Sequence, residues 1–274
     1  MLMSFSEDGA SIALKIASNT INGHEPPSLK AQKLFMEQVQ LRVGAWKQHV
    51  YSLTAGRVFG GPFKGMSITQ GALDSCMPAV VLGCYEHELH SIVDKICANG
   101  YDTVLNIGCS FGYYATGLAL RMPRARIKAF DINADARRKC EEMVAANGVA
   151  DRVEISGEFR GSDFEHLIQG KTLVLMDIEG AEHGLLDPAL WPALCNADVL
   201  VEIHELDCPG LTNILKERFV NTHDTEIIDM QTSYFPEVHD LLGHDKYINP
   251  FDHLMLGWEG RVGPTPWGWF KAKK

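Results

Sequence analysis

A chain of 274 residues, 46% hydrophobic and 22% charged, can bury one sizeable core, or one core with an appended subdomain, and is too apolar to stay disordered. Its net charge of −10 and pI near 5.5 argue against a general grip on phosphate backbones, so nucleic acid is not an expected partner. The apolar stretch 12–16 is broken by Lys15 and falls far short of the roughly 20 residues that span a bilayer, no signal peptide is recognisable, and seven cysteines without CxxC spacing suit reduced thiols in a cytoplasmic protein.

In chain order, Pro26-Pro27 followed by Ser28 reads as a stop and then a helix N-cap. Phe35, Val39, Val43, Trp46, Val50 and Leu53 then recur at three- and four-residue spacing, the mark of one apolar helical face. The glycine-rich stretch 56–78, with Gly61-Pro62-Phe63-Lys64-Gly65-Met66, suits turns, and no regular element is expected in it. A second helix is predicted over 85–99, with Gly100 as its C-cap.

Beyond Gly100 the pattern changes. Short β-branched runs at 103–107, 127–131, 153–155, 173–177 and 199–203 alternate with helical stretches at 113–121, 134–147, 164–169, 181–194 and 211–219. Such alternation predicts a parallel sheet with crossover helices. Two further strand-like runs, 226–229 and 253–258, allow a closing antiparallel pair, and no convincing helix stands between them. The expected fold is therefore α/β, a doubly wound, mostly parallel seven-stranded sheet. Residues 1–100 form a helical N-terminal segment on the acceptor side, and residues 101–274 form the cofactor-binding domain.

The string Asn106-Ile107-Gly108-Cys109-Ser110-Phe111-Gly112 carries the first strand into a small-residue turn that opens a helix. Small side chains let a ligand lie against the backbone, with the helix N-terminus as a source of amide donors. The next strand ends in Asp131, about twenty residues on, where a carboxylate can accept from both hydroxyls of a ribose. A dinucleotide enzyme would need Gly-x-Gly-x-x-Gly, and here Tyr113 stands where the third glycine belongs.

With Asn106, Gly108, Ser110 and Gly112 in the places of an acidic-x-Gly-x-Gly-x-Gly motif, the chain resembles class I S-adenosylmethionine-dependent methyltransferases. The resemblance implies S-adenosylmethionine as cofactor. It also implies that Asp131 binds the ribose, Ile132 lies against the adenine, Glu158 meets the adenine amino group and Asn106 faces the methionine end. The string Asp177-Ile178-Glu179-Gly180-Ala181-Glu182 resembles the Asp-Val-Glu-Gly-Ala-Glu signature of the FkbM-like methyltransferases, and Val201-Glu202-Ile203-His204 resembles that family's next strand. The FkbM-like resemblance implies O-methylation of a small molecule or sugar.

Both strings lie at carboxyl ends of predicted parallel strands, where open α/β sheets place ligands. Removing a hydroxyl proton calls for a base that titrates near neutrality, so His204 is the candidate general base, oriented by Asp177 or Glu179, with Asp177 also facing the cofactor. Glu179 and Glu182 are equally placed to cap the helix that follows. No metal site is assigned; a divalent cation held by Asp177 with Glu202 or Glu205 is the alternative. The histidine-rich tail, with His223, His239, His244 and His253 near Asp240, Asp245 and Asp252, follows no zinc spacing. Tyr234, Phe235, Tyr247, Trp267 and Trp269 are placed either to line an acceptor pocket or to pack the core. The expected partner is a small-molecule acceptor, with no membrane, and a homodimer is compatible.

Overall fold

The computed structural model describes residues 27–231, 235–243, 248–259 and 265–273. The chain divides into two compact units, Met1–His49 and Val50–Lys274. The first helix, α1 (Pro27–Leu53), begins on the second proline of the pair, so Ser28 is its second residue and not its N-cap, and Val39, Val43 and Val50 of the predicted apolar face are buried. Residues 50–100, read from the sequence as part of an N-terminal segment, lie in the same unit as the sheet.

Within that unit the glycine-rich stretch contains regular structure after all. Helix α2 (Gln70–Ser75) is capped by Thr69, whose side chain accepts from the Ala72 amide, and α3 (Pro78–Leu82) begins on its proline. The predicted helix over 85–99 is shorter than its periodicity suggests. Glu86 sits at φ +47°, a left-handed conformation that no helix interior accepts, so a 3₁₀ turn at His87–Leu89 precedes α4 (His90–Asn99). Gly100 closes α4 at φ +62°, the freedom expected of a terminal glycine.

The remaining elements are β1 (Thr103–Ile107), α5 (Tyr113–Arg121), β2 (Arg126–Phe130), α6 (Ala134–Ala146), β3 (Val153–Ser156), α7 (Phe164–Leu167), β4 (Thr172–Met176), α8 (Glu182–Leu185), β5 (Ala197–Glu202), α9 (Leu211–Phe219), β6 (His223–Ile228), α10 (Pro236–Leu242), α11 (Pro250–Leu256) and β7 (Trp267–Ala272). They build one sheet in the order β3-β2-β1-β4-β5-β7-β6. The first five strands are parallel, and β7 inserts antiparallel to both β5 and β6. Every residue of β4 is buried, as a central strand covered on both faces requires. One face packs Leu105, Ile107, Val174, Met176, Val199 and Val201 against Phe164, Leu194, Phe219 and Phe270.

Three sequence expectations fail for identifiable reasons. The 181–194 helix is a single turn, α8, because Pro188 bars Asp187 from continuing it and Pro192 restarts the chain as a 3₁₀ turn. Residues 253–258 are not a strand: Pro250 at the first helical position and a capping box between Asn249 and Asp252 make α11 instead. The strand that closes the sheet is β7, further on, and α10 and α11 supply helices where none was predicted. Tyr234, His244, Asp245 and Tyr247 lie outside the described residues.

Candidate functional site

At the carboxyl end of β1 the chain turns away from the sheet at Gly108, φ +83°. A Cβ there would stand 1.6 Å from the carbonyl oxygen of Asp177, so only glycine lets β1 and β4 lie this close at their ends. Ser110 is also left-handed, at φ +47°, and Gly112 caps α5 at φ +90° with no side-chain hydrogen bond.

The donors of this turn are largely spent inside the protein. Gly108 N–H and Cys109 N–H both donate to Phe130 C=O, at 2.8 and 2.9 Å, and Gly112 N–H donates to Cys109 C=O at 2.8 Å. Ser110 N–H donates to Asp131 Oδ2 at 2.9 Å, and Asn133 N–H donates to Asp131 Oδ1 at 2.8 Å. These bonds give the turn its shape, and Asp131 is fixed by two backbone donors. Each Asp131 oxygen keeps a second acceptor direction.

Asp131 borders a cleft of about 540 Å³, a size suited to a nucleoside-sized ligand. Its wall brings together Gly108, Asp131, Ile132, Glu158 and Asp177 from the predicted set, with Glu179 at the far side. Ile132 is 83% exposed, so its side chain is available as a lid over a flat ring. Asn106, Ser110 and Gly112 do not line this cleft; Asn106 is buried in the sheet, and its Oδ1 has no hydrogen-bond partner. Gly157 and Phe159, the alternatives to Glu158 in the sequence, line the cleft as well, and Phe130 and Leu185 supply apolar wall that the motif reading missed. Glu158 is paired with Arg160 at 3.0 Å on the exposed rim.

His204 stands just past β5 and is 6% exposed. Its Nδ1 lies 2.8 Å from Glu182 Oε1, while Nε2 lies 3.4 Å from Glu179 Oε2 and 3.8 Å from both Asp177 Oδ1 and Glu202 Oε2. Burial alone would lower the imidazole pKa, but Glu182, Glu202 and Glu179 outweigh it, and the net effect is a raised value. Glu182 is completely buried; burial works against its ionised form, yet the hydrogen bond from His204 and the local amides bring its pKa below the ordinary range. Asp177 is pushed well above the carboxylate range, first by burial and then by the charges of Glu202, Glu86 and Glu179. Its Oδ1 is fully buried without a hydrogen-bond partner, although the side chain as a whole is 31% exposed toward the cleft.

Glu86 contributes to that field from the loop before α4, where Tyr114 O–H donates to its carboxylate. Tyr114 packs edge-on against Trp267, with ring centroids 6.4 Å apart, and Tyr85 meets Tyr113 in the same manner at 5.4 Å. Asp177, Glu179 and His204 each offer one atom within 4.8 Å of the others, a spacing that would also admit a cation. Glu205, the other acid considered beside Asp177, accepts instead from Gly210 and Thr212 amides and caps α9. In the tail, His223 is buried with Nε2 2.8 Å from Ala197 C=O, a structural position, and Trp267 and Trp269 are core residues of β7. Phe235 is buried and stacks on His87 at 5.4 Å.

No family model matches the chain. It is similar to the release factor glutamine methyltransferase of Chlorobaculum tepidum, 34% identical over 70 residues, which is 24% of either chain, so the match spans about a quarter of that relative. Similar solved structures include the O-methyltransferase TomG of Streptomyces achromogenes with bound S-adenosylmethionine, at 14% identity and TM-score 0.45 over 98% of this chain and 100% of that one. The Bacillus cereus O-methyltransferase in complex with SAH gives 12% and 0.45 over 83% and 90%, and a Clostridium thermocellum protein described as an rRNA methylase gives 14% and 0.47 over 68% and 96%. What decides the fold is the strand order itself, five parallel strands and a reversed β7 between β5 and β6. It is a doubly wound, Rossmann-like α/β fold. Among the described residues, no helix is long and apolar enough to cross a membrane.

Proposed function

We propose that the protein is an S-adenosylmethionine-dependent methyltransferase acting on a hydroxyl oxygen of a small-molecule or sugar-like acceptor. One observation carries the proposal: a nucleoside-sized cleft is lined by Asp131, held by two backbone amides, and by Asp177 and Glu179, whose carboxylates lie 3.8 and 3.4 Å from Nε2 of the buried His204. The glycine cradle at Gly108 and the part-exposed Asp131 carboxylate fit an adenosine, with Ile132 over the base and Glu158 at its polar edge. Bound there, the cofactor would supply an electrophilic methyl group on a sulfonium.

The chain's own task is then to place the acceptor and remove a proton. His204 takes the hydroxyl proton at Nε2 as the oxygen attacks, and Asp177 and Glu179 orient the acceptor. In this reading Tyr85 and Glu86, from the segment before β1, lie on the acceptor side. The likeness of 177–182 to the FkbM-like signature supports a hydroxylated acceptor, and the net charge of −10 supports a small molecule over nucleic acid. In the same reading the protein works in the cytoplasm, needs no metal, and acts alone or as a homodimer.

A polypeptide acceptor is the second reading, favoured by the 70-residue likeness to an enzyme named for glutamine methylation. Incubation with methyl-labelled cofactor and a fractionated cell extract separates the two. Label in one hydroxylated small molecule, undiminished by chelator, is the expected result. Label in polypeptide or RNA, or cofactor binding with no transfer to any fraction, would contradict the proposal.

A further inference from the structure

We infer that Glu182 is a positioning residue that fixes the tautomer of His204, holding the proton on Nδ1 and leaving Nε2 bare toward the acceptor. The inference rests on the methyl-transfer reading for its purpose, but its geometry stands apart from that reading. Glu182 is fully buried, and its Oε1 is the sole close partner of Nδ1 among the described residues, at 2.8 Å. The same oxygen also accepts from Ile178 and Gly180 amides, each at 3.3 Å. An ionised carboxylate oxygen that already accepts from two amides cannot receive a bare Nδ1, because a carboxylate has no proton to give.

Beyond the start of α8, the Glu182 carboxylate reaches back to a loop in which Glu179 is held at φ +54° and Gly180 at φ +102°. Left-handed backbone at a non-glycine residue is strained and persists where surrounding contacts enforce it. The carboxylate therefore fixes two things together: the loop that carries Glu179 to within 3.4 Å of Nε2, and the ring that Nε2 belongs to. Asp177, Glu179 and Glu202 all face Nε2, and Glu182 alone of the four acids faces Nδ1. In a histidine the nitrogen left free is set by the bond the other nitrogen makes.

The test is nitrogen NMR of the full-length protein with ¹⁵N-labelled histidine, at alkaline pH where the ring is neutral, with His204→Ala assigning the signal. The wild type is expected to show a protonated Nδ1 and a bare Nε2. Glu182→Leu removes the acceptor and is expected to shift the ring toward the Nε2–H form. Glu182→Gln should retain the Nδ1–H form, because the Ile178 and Gly180 amides keep its amide oxygen turned inward. A wild-type ring protonated on Nε2 overturns the inference even if the leucine variant fails to fold, and so does a leucine variant with an unchanged tautomer. With the acceptor identified by label transfer, Glu182→Leu should lower kcat roughly 10- to 100-fold with the cofactor KM unmoved; unchanged kcat would equally overturn it. Titration with S-adenosylhomocysteine separates the two ideas. Failure of that product to bind removes the methyl-transfer reading and leaves the tautomer result standing.

Discussion

Nε2 of His204 is faced by three acids, and this sets the direction of the pH dependence. A base must be deprotonated to act, and the neighbouring acids raise the imidazole pKa. Turnover is therefore expected to fall as pH drops through that raised value, above the ordinary histidine value of 6.5. A rate that stays flat from pH 6 to 9 would contradict the assignment. His204→Ala should slow turnover by about 10²–10⁴ with the affinity for S-adenosylhomocysteine within about two-fold, since the ring lies outside the adenosine end of the cleft; full activity would exclude His204 as base. Stability carries the same signature. The pairing of His204 with Glu182 is complete above the ordinary glutamate value of 4.5 and below the ordinary histidine value of 6.5. It is lost as pH falls through the lowered Glu182 value or rises through the raised His204 value. Urea midpoints of wild type and His204→Ala should thus differ most inside that window, and a difference independent of pH would contradict the pairing.

At the scale of elements, the turn between β1 and α5 and the late strand β7 show what local sequence does and does not reveal. Gly108 was legible as a turn glycine because a strand runs there into small residues that open a helix, and the structure shows the reason in the 1.6 Å approach of its would-be Cβ to the Asp177 carbonyl oxygen. Gly108→Ala is expected to abolish cofactor binding as measured by calorimetry, and retained affinity would show that the two strand ends can separate without cost. The position of Asn106 in the motif does not reveal its burial, at 1% exposed. The role of Glu182 was hidden because an acid at the start of a helix reads as a cap, and its true partner lies 22 residues away. Likewise β7 escaped notice because Gly268 interrupts its pattern. A Cβ at that position would meet the Phe270 ring at 2.5 Å and Ile203 at 3.2 Å, so the strand needs the residue that disguises it. Phe270 is fully buried between Phe219 and the sheet, and Phe270→Ala should cost about 3–5 kcal/mol in urea unfolding. A loss below about 1 kcal/mol would mean that β7 closes the sheet without anchoring it.

Across the whole molecule, the parallel half of the sheet followed from alternating runs that local propensity specifies, whereas its antiparallel end depends on a pairing between distant segments that no local window contains. The order β3-β2-β1-β4-β5-β7-β6 places the ends of β1, β2 and β4 around one cleft, and the chain just past β5 brings His204 to 3.8 Å from Asp177, which lines it. Everything functional depends on that cleft receiving an adenosine against Asp131. Calorimetric titration of S-adenosylhomocysteine into the wild type and into Asp131→Asn tests it directly, because the asparagine keeps an oxygen for a backbone amide while losing the charge-assisted bonds to the ribose. One-site binding by the wild type, weakened about ten-fold or more in the variant, is the predicted result. Equal affinity in the two proteins, or no binding to the wild type, would contradict it.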